Sequence, residues 1–80
     1  MMVKKDALTA QVLSELADLR PGTTICPGEL SHRVLPGVDQ PLTVLRPLLF
    51  ELAAGRQLRL SQKGAVVGWW KIKGPFRVGR

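Results

Sequence analysis

This 80-residue chain has one cysteine, Cys26, and one histidine, His32. A single thiol excludes an intramolecular disulfide, and the two residues together are too few for a structural zinc site. No metal or other cofactor is expected. No long apolar run follows Lys4 and Lys5, so the stretch from Met1 to Asp6 reads neither as a signal peptide nor as a membrane span. The expectation is a cytoplasmic protein without a membrane partner. The most informative absence is that of acids after Glu51. Residues 1–51 hold five Lys/Arg and all six Asp/Glu, whereas residues 52–80 hold Arg56, Arg59, Lys63, Lys71, Lys73, Arg77 and Arg80 and no acid. Such segregation is the footprint of a surface for a polyanion, against the plainer reading of a basic tail that only keeps a small protein soluble.

What is present fits one small domain over residues 1–80. Hydrophobic content of 45% supports a single core. A chain this short has too few apolar side chains both to close that core and to wall a deep substrate pocket, which argues against an enzyme.

From Ala7 to Leu19, the residues Leu8, Val12, Leu13, Leu16, Ala17 and Leu19 recur at three- and four-residue spacing. This predicts a helix over 7–19 with Asp6 as its N-cap, stopped by Arg20-Pro21-Gly22. Thr23-Thr24-Ile25 is β-branched and extended, too short for an independent strand but able to pair with a hairpin edge. Pro27 suits the first position of a second helix over 27–34, which makes Cys26 its N-cap. Glu29 at the third position is expected to reach back to the Cys26 N–H, and Ser31, His32 and Arg33 are left for solvent or a partner. A third helix over 41–54 opens at Pro41, with Asp39 or Gln40 near the cap. It carries a broad stripe of Leu42, Leu45, Leu48, Leu49, Leu52 and Ala53 and ends at Gly55. Pro47 sits inside it and suggests a kink. Thr43, Arg46, Pro47, Phe50, Glu51 and Ala54 are expected on the outward face.

A hairpin is predicted over 57–78. Leu58 and Leu60 alternate with Gln57, Arg59 and Ser61, Lys63-Gly64 is the two-residue turn, and Ala65-Val66-Val67 returns. Trp69 and Trp70 either continue that strand or form an irregular wing tip. Adjacent residues of a strand point to opposite faces, so one indole is expected in the core and the other outside; the alternative is that both are packed. Phe76 and Val78 follow as inward residues of a last short strand.

Helix, short strand, helix, turn, helix and basic hairpin is the order of a winged helix-turn-helix domain, a mainly α fold with a small antiparallel β-hairpin. Three segments, TICPGEL at Thr24–Leu30, LSQKGAVV at Leu60–Val67 and GPFRV at Gly74–Val78, also resemble a family of small bacterial proteins of unknown function. The departures from that pattern are Gly28 in place of serine, Gly68-Trp69-Trp70 in place of a valine-aspartate-proline continuation, and Phe76 in place of isoleucine. The resemblance implies a winged-helix-like fold and no particular activity.

Two functions fit these residues. In the first, the domain binds nucleic acid, expected to be duplex DNA, through Arg59, Lys63, Lys71, Lys73 and Arg77 on the hairpin, with Trp69 available to stack and Arg46 contributing from the third helix. Arg46 and Thr43 alone make a poor base-reading face, so weak sequence specificity is expected. In the second, Phe50, Pro47, Ala54 and one tryptophan form an apolar patch for a protein partner or for self-association. Catalysis would have only Cys26, Glu29 and His32 to draw on. Cys26 at a helix N-terminus reads more simply as a small capping residue.

Overall fold

A computed structural model describes residues 4–80, so the leader reading of Met1–Val3 lies outside the described residues. Three helices, α1 (Lys5–Ala17), α2 (Pro27–Val34) and α3 (Pro41–Ala54), pack on a sheet of four short strands. The strands are β1 (Thr24–Ile25), β2 (Arg59–Gln62), β3 (Ala65–Val67) and β4 (Arg77–Gly79), and a single 3₁₀ turn at Trp69–Lys71 separates β3 from β4. The fold is α+β with an antiparallel sheet.

α1 buries Leu8, Val12 and Leu16, one residue per turn on a single stripe. It starts earlier than the sequence suggests: Lys4 is the N-cap, and Asp6 lies in the first turn, where its charge complements the helix N-terminus. It also ends earlier, because the Leu19 N–H turns back three residues to the Leu16 carbonyl and tightens the last turn out of α geometry.

α2 runs as expected from Pro27, with Cys26 as an extended N-cap that makes no side-chain capping bond. Two local expectations fail. Glu29 does not reach back to Cys26; it accepts a 2.8 Å hydrogen bond from Arg33, one turn along the helix. A charge-assisted partner at i+4 is a stronger attraction for a carboxylate than a neutral backbone N–H. Ser31 is fully buried, not exposed. Pro27, Leu30, Ser31 and Val34 form the i, i+3, i+4, i+7 face turned to the core, and the Ser31 hydroxyl is satisfied by donating to the Gly28 carbonyl at 2.6 Å.

α3 continues through Pro47, which is exposed, and buries Leu45, Leu48, Leu49 and Leu52. Its last turn closes with the Arg56 N–H on the Ala53 carbonyl and the Gln57 N–H on that of Leu52. These are the two bonds of a Schellman ending, and they put Arg56, at φ 61°, in the left-handed position where glycine is usual. Gly55 lies one residue too early to fill it.

The sheet order is β1-β4-β2-β3, every pair antiparallel. The two strands of the hairpin, the last short strand and the pairing of Thr24–Ile25 with it are as expected; what local pattern does not announce is the order, in which β4 inserts between β1 and β2. Ile25 pairs with Val78, and Val78 with Leu60, so one row of apolar side chains faces the helices. Leu58, Leu60, Phe76 and Val78 complete a core that α1, α2 and α3 close from the other side.

Candidate nucleic-acid interface

Side chains alternate across a sheet, so the rows flanking Ile25, Val78 and Leu60 must face away from the core. One flanking row is Thr24, Gly79 and Arg59, and the other is Arg77, Ser61 and Val66. At the centre of the first row Gly79 carries no side chain. A Cβ there would come within 3.2 Å of Thr24 Cγ2 and 3.4 Å of the Thr23 carbonyl, so the glycine keeps this part of the outer face low.

Two features place the remaining bases beside that face. Lys63 and Gly64 both have positive φ, 54° and 81°, which is the tight turn whose twist matches antiparallel strands, and it sets Lys63 at the hairpin tip. Gln62 then holds the loop before β4. Its amide donates to the carbonyls of Lys73 and Pro75, and its oxygen accepts from the Lys73 N–H at 3.4 Å. One side chain thus ties the basic loop to the end of β2.

The result is an open groove of about 1150 Å³ over the outer face of the sheet, bordered by Arg59, Lys63, Lys71, Lys73, Arg77 and Arg80. All six are exposed, and no acidic residue lines the groove. Among the described residues, the ion pairs lie elsewhere: Lys5 with Glu51, and Arg33 with Glu29 and Glu15. Two of the groove arginines also brace the fold. Arg77 donates to the Thr24 hydroxyl at 2.6 Å and to its carbonyl at 3.0 Å, and Arg80 donates to the Leu19 carbonyl at 2.9 Å. Like charges gathered without counter-charge raise the local potential and attract anions.

Of the residues expected to form the site, Arg59, Lys63, Lys71, Lys73 and Arg77 are brought together. Arg46 and Trp69 do not line the groove. Arg46 lies on α3 with its guanidinium carbon 5.3 Å from the Phe50 ring centroid and 5.7 Å from that of Phe76. The tryptophans overturn the one-in, one-out expectation. They sit in a 3₁₀ turn, not a strand, and both are exposed, Trp69 at 43% and Trp70 at 68%. Phe50 is half-buried and packs against Phe76 with centroids 5.7 Å apart, so it faces the core margin more than solvent. The element missing from the sequence reading was Gln62 as the loop anchor; its only signal there was membership of the LSQKGAVV motif.

Cys26 is exposed at the groove margin, and His32 is exposed on α2. Glu29 is engaged by Arg33, so the three residues do not converge. Among the described residues no three His, Cys, Asp or Glu side chains are grouped to hold a metal ion. None of the described helices is long and apolar enough to cross a membrane.

A family model described as "Protein of unknown function (DUF3253)" matches residues 5–80. The chain belongs to this family. The matched span contains all three motif segments and every groove base. No curated protein matches the chain. For this DUF3253 member, then, the chemistry of the groove is the guide to function.

Proposed function

We propose that this protein is a winged-helix domain that binds nucleic acid, with duplex DNA as ligand, mainly through the basic C-terminal hairpin and with weak sequence specificity. The role is binding, not catalysis, and a DNA ligand implies a cytoplasmic site of action. The observation that carries the reading is the gathering of six exposed bases on the outer face of the sheet with no carboxylate lining that groove. Among the described residues, Arg59, Lys63, Lys71 and Lys73 make no hydrogen bond through their charged groups, which leaves them to phosphates. Weak specificity follows from α3, whose exposed base Arg46 is stacked against two rings and offers little to a base edge. The packing of Phe50 against Phe76 also weakens a protein-docking patch centred on α3.

The test is titration of a random-sequence duplex at several salt concentrations. Four phosphate contacts correspond to a slope of about −4 in log affinity against log salt, and replacing Lys71 and Lys73 together with alanine lowers its magnitude by about two. Absence of binding at low salt, even at high micromolar protein, refutes the proposal.

A further inference from the structure

The groove accounts for the basic residues but leaves two exposed indoles unused. Resting on the nucleic-acid reading above, we infer that Trp70 is a stacking platform for one unpaired nucleobase, so the domain favours duplex with a single-stranded tail over blunt duplex.

Exposure is the first support. The chain has four aromatic residues, two Trp and two Phe, and a small core would bury them if packing were their only use. Phe76 is buried and Phe50 half-buried, yet Trp70 remains 68% exposed.

The second support is that this exposed ring is held in place. A Cβ on Gly68 would stand 2.5, 2.6 and 2.7 Å from Cη2, Cζ3 and Cζ2 of Trp70. Near-equal distances to three consecutive ring atoms place the Gly68 backbone over the face of the ring, since an edge-on approach would leave the flanking atoms much farther away. Gly68 itself has φ −66° and ψ 146°, a conformation open to any residue. A side chain at Gly68 is therefore opposed by the ring and not by the backbone, and alanine there displaces the indole. Trp69 adds a perpendicular contact, with centroids 6.1 Å apart and an interplanar angle of 85°. An indole fixed on one side and open over most of its surface loses little freedom when a second ring stacks on it.

Charge selects the occupant. Trp70 does not itself line the groove, but it is the chain neighbour of Lys71, which does, and Val67 and Lys73, three residues to either side, line it too. A tail that leaves the groove past Lys71 meets the turn that carries Trp70. Paired bases present their faces to each other inside the duplex; an unpaired base has a free face, and stacking on an aromatic side chain tolerates any base identity.

The experiment measures anisotropy of one labelled duplex in three forms at fixed salt: blunt, with a short thymidine tail, and with an abasic tail of equal length. The abasic tail supplies the same phosphates without a base. The thymidine tail is expected to tighten binding on the order of tenfold over the abasic tail. Trp70→Ala and Gly68→Ala are each expected to erase that difference while leaving blunt-duplex affinity within about twofold, because neither changes a phosphate-contacting base. Gly68→Ala retains both indoles and every charge, and its backbone conformation suits alanine; far-UV circular dichroism verifies that both variants stay folded. Equal affinity for the two tails, or a tail effect that survives Trp70→Ala, overturns the stacking inference. If the blunt duplex binds with a steep salt dependence in that event, the groove reading stands alone. If no form binds at low salt, both fall, and an acidic protein surface becomes the better ligand class for the bases.

Discussion

The helical half and the C-terminal third of this protein use charge in opposite ways. Every acid lies at or before Glu51, and there bases and acids form ion pairs: Lys5 meets Glu51, and Arg33 bridges Glu29 of its own helix to Glu15 of α1. Beyond that point seven bases face no acid of their own segment, and the two whose charged groups hydrogen-bond among the described residues, Arg77 and Arg80, do so to uncharged oxygens. The first arrangement is that of an ordinary solvated surface. The second leaves like charges unneutralised beside one another, a mild cost to the folded state that a bound polyanion would relieve. The division does not follow the core, which draws on both regions: Leu45 and Leu49 from α3 meet Leu60 and Val78 from the sheet. A single sheet therefore has an apolar inner face that belongs to the fold and a basic outer face, the one proposed to meet the ligand.

That comparison can be broken most forcefully from the inner side. Leu49 is fully buried, and Leu49→Ala is expected to lose about 2–5 kcal/mol, a large part of the stability of a domain this size, measured as a fall in the urea midpoint. The Lys71→Ala, Lys73→Ala double variant is the converse. It should weaken duplex binding at low salt by on the order of tenfold or more while leaving the urea midpoint almost unmoved. Gln62→Ala joins the two regions, since it removes no charge yet frees the Lys73–Pro75 loop from β2. Its expected effect is a loss of about 1 kcal/mol in stability and a several-fold weaker affinity with an unchanged salt slope. The smallest effect belongs to the α3 ending. Arg56→Gly relieves a left-handed residue and should raise stability by up to about 1 kcal/mol without altering binding, because Arg56 does not line the groove. Loss of binding in that last variant would show the basic surface to be wider than the groove.

The elements that could be read from the sequence were those fixed by local chemistry. Pro27 and Pro41 mark the starts of α2 and α3 where they occur, the leucine stripe of α3 is the buried one, and Lys63-Gly64 makes the hairpin turn. The errors came where a side chain had more than one available partner. Asp6 and Glu29 were assigned to capping, but Lys4 already begins α1 and Arg33 claims Glu29. Ser31 reads as polar and hence exposed, yet its hydroxyl is satisfied within its own helix turn, so burial costs it little. The basic part of the candidate site was legible as a charge census, since all six groove bases are among the seven that follow Glu51. Its shape was not, because the outer face exists only once β4 enters between β1 and β2, a long-range pairing that no local pattern announces. Of the two alternatives for the tryptophans, a continued strand or an irregular tip, the stretch takes the irregular one, a 3₁₀ turn, to which strand alternation does not apply.

The central claim is that the outer face of the sheet, and not α3, meets nucleic acid. Backbone amide chemical-shift mapping during titration with a short random duplex tests it directly. The account predicts that the largest perturbations fall on Arg59, Ser61, Lys63, Lys71, Lys73 and Arg77, with Thr43, Val44 and Arg46 on the exposed side of α3 nearly unmoved. Perturbations concentrated on Thr43, Val44 and Arg46, with the hairpin unaffected, would contradict it.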